Sequence, residues 1–365
     1  MHVVGARPNM PKAAPVIRAL SARGVRQQVV NTGQHYHDAM SAAMMSAVGM
    51  PTPDIDLAVG SGSHALQTAA ILSAIEPVLV QHRPALVIVY GDVNSTLAAA
   101  LAAVKLHIPV AHVEAGLRSH DTTMPEEINR RLVDHMCNLL LVTSPDAWPN
   151  LRAEGLADER VVEVGNPMID SVVRAQQVGD FAARRTALGL TGDFALATIH
   201  RPSNVDDPDA AAAMLAVLRD TAMRLPVVLP LHPRSQRALT TARELPGVRV
   251  VEPLAYSDFL AALEGARLVL TDSGGVQEES SYLGVPCVTV RTTTERPVTI
   301  THGTNRLATA QSAVGEVDVI LGSAPPVAAN IALWDGHAGE RIADAITHWL
   351  STAPSRGDGM EARDG

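Results

Sequence analysis

Cysteine is almost missing from this chain of 365 residues: Cys137 and Cys287 stand far apart, and no CxxC occurs. A disulfide framework and a zinc knuckle are therefore excluded, and a reducing, cytoplasmic setting is expected. Aromatic residues make up only 3%, so the core has to be aliphatic, as is common where helices cover a sheet. Charged residues are scarce at 18%, the net charge is −9 and the pI is near 5.8. With no Lys/Arg block to grip phosphate backbones, nucleic acid is not an expected partner. An anionic ligand would need a local basic pocket. No run of about 18 apolar residues occurs, and the opening MHVVGARP lacks a basic segment followed by an apolar one. Neither a membrane span nor export is expected. GxxxxGK[ST] is absent, so there is no Walker A loop, and short-period repeats and low-complexity tracts are missing too.

What is present is alternation. Short β-branched runs (HVV at 2–4, QQVVN near 27–31, ALVIVY at 85–90, IPVAHV at 108–113, LLLV at 139–142, VVEV at 161–164) are separated by helix-like stretches at 9–22, 36–48, 64–82 and 93–106. A second series runs through FALATI (194–199), PVVLPL (226–231), VRVV (248–251), ARLVLT (266–271) and VPCVTV (285–290). Such βαβ alternation, occurring twice, predicts an α/β protein with two parallel sheets and a cleft between them. At about 100–200 residues per domain the length suits two domains. The stretch VGNPMID (164–170) is the natural crossing point, which gives domains of 1–166 and 167–339. A final amphipathic helix near 340–352 carries Ile342, Ile346 and Trp349 on one face, and the tail 353–365 is expected to be disordered.

Parallel sheets bind ligands beyond the carboxyl ends of their strands. Asp92, Glu114, His200, Asp272 and Ser273 all fall at predicted strand ends. After the first strand, GARPNMPKAAP opens a helix, and Arg7 and Lys12 either meet an anion or form a solvated first turn. DSGGVQEE (272–279) is either an anion-binding turn or an ordinary βα turn capped by Ser273. Glu278 and Glu279 suit the helix dipole, or could accept hydroxyl hydrogen bonds.

The stretch HVEAGLRSHDTTMPEEINR (112–130) concentrates ionisable groups at one bend. Thr123 to Glu126 fits a capping box, and Glu127 a surface pair with Arg130 or Arg131. Ile128, Leu132 and Met136 then form the expected buried stripe. Glu114 and His112 remain unexplained by local structure, because a buried carboxylate needs a partner or a task. Asp92 either caps the following helix or acts in the cleft, and His200, beside Arg201, is either structural or a phosphate contact and proton donor.

Taken together, GxRPxxxKxAP, GQH, GD before a Thr-containing helix start, HVEAGLR, PEEINR, GN, HR, DSGGxQEE and TTERP, in this order over roughly residues 3 to 310, resemble the non-hydrolysing UDP-N-acetylglucosamine 2-epimerase family. The resemblance implies two Rossmann-like domains of the glycosyltransferase-B type, with the last helix returning to the first domain, and a cytoplasmic homodimer in polysaccharide biosynthesis. It implies an isomerase that inverts C2 of a UDP-sugar by anti elimination of UDP and re-addition, with no metal or other cofactor.

Carried over by motif, Asp92, Glu114 and Glu126 are the catalytic carboxylates, and His200 stabilises or protonates departing UDP. Arg7 and Lys12 face the diphosphate or sugar, and Ser273, Gly274 and Gly275 offer amides to phosphate. Glu279 grips the ribose, Arg296 contacts nucleotide or sugar, and Phe259 lies by the uracil. The chain departs from the family's pattern at Ser203 and Asn9, where Glu is usual, and at Tyr36, which follows Gln34 and His35 in place of arginine, so allosteric control by a second UDP-sugar is in doubt. With four residues ahead of Gly5, the first strand is expected to fray. A UDP-2,3-diacetamido-uronic acid is the alternative substrate, and a glycosyltransferase on the same fold the alternative class.

Overall fold

A computed structural model describes residues 1–34, 38–156, 158–231, 235–324 and 330–352. His35, Tyr36 and the tail beyond Thr352 lie outside the described residues. Seven strands form the first sheet: β1 (His2–Val4), β2 (Val29–Asn31), β3 (Ile55–Asp56), β4 (Val87–Tyr90), β5 (Val110–Ala115), β6 (Leu139–Val142) and β7 (Val161–Glu163). Six form the second: β8 (Ala195–Thr198), β9 (Val227–Pro230), β10 (Val248–Val251), β11 (Leu268–Thr271), β12 (Cys287–Val290) and β13 (Asn305–Ala308). All pairings are parallel, in the orders β3-β2-β1-β4-β5-β6-β7 and β10-β9-β8-β11-β12-β13. The central strands β4, β5, β6, β11 and β12 are buried throughout, as continuous aliphatic runs are when helices cover both faces.

Three particulars depart from the sequence-based expectation. β1 does not fray: it pairs with β2 on one side and β4 on the other, and the amino terminus donates to the Leu86 carbonyl at 2.8 Å. β3 and β13 were not expected. β3 is two residues long with an exposed Asp56; β13 is a sheet edge with an exposed Arg306, so neither carries a clear apolar run.

Both strand orders reverse at a switch point, between β1 and β4 and between β8 and β11, which is where open α/β sheets hold ligands. One aliphatic cluster runs from Val4, Tyr90 and Val113 of the first sheet, through Ile17 and Val172, to Leu260 and Val269 of the second unit. Between β7 and β8, Gly165 has a φ of +80°, and its absent Cβ lets the Leu333 carbonyl approach; a Cβ there would lie 2.2 Å from that oxygen. Asn166 then caps helix Pro167–Val178 by accepting from Met168 N at 2.9 Å, and Ser171 donates to Pro11 O at 2.6 Å. The last helix, Ala338–Thr352, buries Ile342, Ala343 and Ile346 and packs on helix Met10–Ala22. Arg23 and Asp344 join the two at 2.6 Å. Among the described residues no helix is long and apolar enough to cross a membrane.

Candidate active site

The first wall of the cleft is built from the ends of β4 and β5 and from helix Pro125–Met136. Glu114 leaves β5 where the β5–β6 register slips, with a left-handed φ of +79°. A bulge of this kind re-aims a side chain off its sheet. The Glu114 carboxylate is 3% exposed; it pairs with Lys12 Nζ through one oxygen and accepts from Arg296 Nη2 at 2.5 Å through the other. Gly91, with φ +63°, gives them room: a Cβ there would stand 3.2 Å from Lys12 Nζ and 3.3 Å from Glu114 Oε2. Asp92 does not cap its helix, whose N-cap is Val93. It pairs instead with Arg130, while Asn129 Nδ2 donates to its carbonyl at 2.8 Å. Burial pushes the Asp92 carboxyl up, but Arg130, Lys12 and Arg296 outweigh it and hold it below the usual range.

The bend at 112–130 folds differently from its local pattern. The N-cap of helix Pro125–Met136 is Met124, without a side-chain cap, so there is no capping box; Thr123 Oγ1 donates to Asp121 at 2.6 Å instead. Glu127 is buried rather than on the surface, accepting from Ser119 N at 2.8 Å, Ser119 Oγ at 3.0 Å and Arg130 at 3.3 Å. The expected buried stripe is largely outside: Ile128 and Leu132 are 48% and 49% exposed, whereas Asn129, Arg130 and Asp134 are buried. Glu126 is half-buried and has no side-chain hydrogen bond or ion pair among the described residues. His112 is fully buried between Asp134 and the Gly91 carbonyl.

The second wall comes from the loops after β8, β11 and β12. His200 Nδ1 lies 3.1 Å from Asp272, which also accepts from the backbone of His200 at 2.9 Å and Arg201 at 2.8 Å. Burial raises the Asp272 carboxyl, yet His200 and these amides keep it low, so a fixed anion orients the imidazole. Ser273 occupies the N-cap of helix Gly274–Leu283 but makes no side-chain cap bond. A Cβ on Gly274 would meet Arg296 Nη1 at 2.4 Å, so this glycine admits the guanidinium as well as any anion.

Glu279 is buried and accepts from Tyr256 OH at 2.9 Å; burial lifts its carboxyl to about 8, against the Tyr256 hydroxyl and with Glu278 adding to the rise. Glu278 stands 2.8 Å from Arg296 Nε, out of hydrogen-bonding line, and its other oxygen is buried without a hydrogen-bond partner among the described residues. Glu295, buried, gathers four guanidiniums: Arg296 in direct contact, Arg291 at 2.7 Å, Arg201 at 3.5 Å and Arg130 at 3.8 Å. Against the rise that burial causes, these cations hold it well below the carboxylate range.

Arg296–Glu114 and Arg130–Glu295 tie the two walls together. The structure thus brings Lys12, Asp92, Glu114 and Arg296 into one network, with His200 joined to it through Arg201. Phe259 packs partly buried against the second unit's core, and Gly275 lies 3.4 Å from Met168 as measured from a would-be Cβ. Arg7 is half-exposed in the turn that opens the first helix. Ser203 is exposed on the short helix Pro202–Val205. Asn9 is spent on backbone, accepting from Ala6 N at 3.1 Å and donating to Tyr90 O at 2.8 Å. Gln34 accepts from Ser95 Oγ at 2.7 Å. Reasoning from sequence missed Glu295, Arg291 and Tyr256; the first lies inside TTERP and was available, whereas nothing in a linear pattern sets Tyr256 against Glu279.

Two parallel sheets whose carboxyl ends meet across a cleft of carboxylates, guanidiniums and a glycine-led helix start define an α/β enzyme of the glycosyltransferase-B-like class. Within that class the chain belongs to the UDP-N-acetylglucosamine 2-epimerase family, isomerases, whose sequence model matches residues 18–347. A UDP-2,3-diacetamido-2,3-dideoxy-D-glucuronate 2-epimerase of Pseudomonas aeruginosa is 41% identical over 84% of this chain and 87% of its own. A UDP-N-acetylglucosamine 2-epimerase of Methanocaldococcus jannaschii is 35% identical over 95% and 98%. Crystal structures of the M. jannaschii enzyme with UDP-GlcNAc and UDP, and of the Neisseria meningitidis enzyme bound to UDP-GlcNAc, superpose with a TM-score of 0.88 each, at 35% and 28% identity, covering 95% of this chain and 99% of theirs.

Proposed function

We propose that this enzyme inverts C2 of UDP-N-acetylglucosamine to give UDP-N-acetylmannosamine. One carboxylate takes the C2 proton as the C1–O bond breaks with its electron pair leaving on UDP, and C1=C2 forms in a 2-acetamidoglucal. UDP oxygen then re-adds to C1 while a proton reaches C2 from the opposite face. The observation that carries this reading is the pair Asp92 and Glu114 at the ends of adjacent strands β4 and β5, joined through Arg130, Arg296, Glu295 and Arg201 to the loop after β8 that bears His200: acid–base groups to serve one carbon, and a proton donor to serve the leaving oxygen. Glu126, without a side-chain hydrogen bond or ion pair among the described residues, is the third carboxylate. Arg7, Lys12, Arg296 and the amides of Ser273, Gly274 and Gly275 stabilise the charge growing on UDP; Glu279 takes the ribose hydroxyls, and Phe259 lies by the uracil. No step calls on a metal or nicotinamide, so turnover is expected to survive EDTA.

The test is incubation with UDP-N-acetylglucosamine in D2O, followed by NMR of the sugar C1 and C2 protons. A manno product with deuterium at C2 supports the reading; accumulation of UDP and free sugar, with no epimer, defeats it. Glu114→Gln and His200→Ala should each lower kcat by orders of magnitude with the fold intact. A second reading, a UDP-2,3-diacetamido-uronic substrate, is favoured by the 41% identity to the P. aeruginosa enzyme and by Arg291, buried with an Nη1 that has no hydrogen-bond partner among the described residues. It predicts turnover of the uronate and none of UDP-N-acetylglucosamine.

We further infer that residues 1–166 with the last helix, 340–352, form one body and 167–339 the other, hinged where Gly165 meets Leu333. A second copy of the chain covers the groove of about 450 Å³ between helices His64–His82 and Pro125–Met136, whose lining includes Leu72, Pro125 and Ile128, the last 48% exposed. Ile128→Asp should then convert a dimer to a monomer by light scattering, and a monomeric parent protein would refute the pairing. The same reading places the enzyme in the cytoplasm, with Cys137 and Cys287 as thiols.

A further inference from the structure

We infer that His112 and Asp134 act as a clamp that fixes the two backbone turns on which Asp92 and Glu114 stand, an inference resting on the epimerase reading above. His112 lies in β5, two residues before Glu114, and is fully buried. Its Nε2 is 2.8 Å from the carbonyl of Gly91, the residue before Asp92. A carbonyl only accepts, so Nε2 carries a proton. The other ring nitrogen is 2.6 Å from Asp134 Oδ1. Asp134 is buried, which would raise its carboxyl, but His112 and Arg118 outweigh burial and keep it below the usual range. Both ring nitrogens are thereby committed, and the ring has no proton to exchange with a substrate. It is a positioning residue.

The second half of the clamp reaches the other turn. Asp134 Oδ2 accepts from Gly116 N at 3.0 Å and lies 2.7 Å from Arg118 Nη2. The backbone it restrains is unusual: Gly91, Glu114 and Gly116 have φ of +63°, +79° and +80°, and the β5–β6 register slips between Val113 and Ala115. Glycine takes such angles freely, whereas glutamate does so only where its surroundings over-determine the conformation. The Glu114 side chain does not supply that restraint locally, since its oxygens are given to Lys12 and Arg296 from other parts of the chain. The restraint comes from both sides of it in the sequence. His112, two before, ties to the β4 turn; Gly116, two after, is tied to Asp134. Because Asp134 shares its helix with Arg130, the partner of Asp92, one helix sets the positions of both carboxylates.

A displacement of about 1 Å of a reacting group lowers turnover by roughly a hundredfold without abolishing binding. In the full-length enzyme, His112→Phe keeps the ring volume and loses both hydrogen bonds, and His112→Gln keeps one donor. The expected result is a fall in kcat of about a hundredfold for Phe and less for Gln, with KM and UDP affinity within about twofold of the parent. Loss of kcat in step with loss of UDP affinity and of the thermal transition would show a general structural role and overturn the inference, as would parental kcat in His112→Phe.

Amide hydrogen exchange at Gly116 supplies a readout independent of substrate. It should be slow in the parent and at least tenfold faster in His112→Phe and Asp134→Asn. Unchanged protection defeats the clamp even if the enzyme proves to act on another sugar, and fast exchange in the variants with no epimerisation by the parent would defeat the substrate assignment alone. Should His112→Phe fail to fold, His112→Gln and Asp134→Asn carry the same comparison.

Discussion

If Glu279 takes the ribose as proposed, its buried carboxyl couples UDP binding to protons. Its carboxyl sits at about 8 because it is buried, against the Tyr256 hydroxyl and beside Glu278, whereas an ordinary glutamate lies at 4.5. The folded protein therefore holds a proton near neutrality that the unfolded chain has released. This contribution to stability is present in full below about pH 4.5 and is lost as pH rises through about 8. Ribose hydroxyls donate to an ionised carboxylate, so UDP docking there should expel the proton at pH 7. Calorimetry in buffers of different ionisation enthalpy is expected to show a released proton at pH 7, little by pH 9 and none in Glu279→Gln; binding at pH 7 without proton release would place the ribose elsewhere. Tyr256→Phe removes a 2.9 Å hydrogen bond to the same group and should weaken UDP by about 1.5 kcal/mol, roughly tenfold.

At the scale of elements, the last helix is held by a cap from a distant part of the chain. Asp170, on helix Pro167–Val178, accepts from the backbone of Ala338 at 3.0 Å and of Gly339 at 2.7 Å. Asp170→Ala should cost about 1–2 kcal/mol, read as a lower thermal midpoint, and should raise hydrogen exchange first in residues 338–352; uniform loosening would argue against a local cap. Much of this architecture was legible in sequence: eleven of the strands and the two-fold repetition follow from apolar periodicity and turn residues. Where binary pattern failed, function explains the failure. Helix Pro125–Met136 buries Glu127, Asn129, Arg130 and Asp134 and turns Ile128 and Leu132 outward, because the cleft requires charge on the face that a core would fill with aliphatic side chains. Tyr256 and Asp134 were invisible as site residues for a different reason: their partners, Glu279 and His112, are brought to them by tertiary packing.

Across the whole molecule, the two units are joined at the cleft by charge. Glu295 lies among Arg130 of the first unit and Arg201, Arg291 and Arg296 of the second, while Arg296 reaches back to Glu114. Removing the central anion leaves four buried or half-buried cations facing one another, and breaking a buried ionic network by deleting one partner costs about 3–5 kcal/mol. Glu295→Gln is therefore expected to lower the thermal midpoint and to widen the cleft, seen as a larger radius of gyration by small-angle scattering. On the role proposed for Arg296, the diphosphate of UDP brings negative charge to one guanidinium of this cluster. Saturating UDP should accordingly recover most of the lost compactness, and should raise the thermal midpoint of Glu295→Gln by more than it raises that of the parent. Equal stabilisation of the two proteins would mean that UDP and Glu295 act on separate cations, and that closure of the units is not governed by this shared charge.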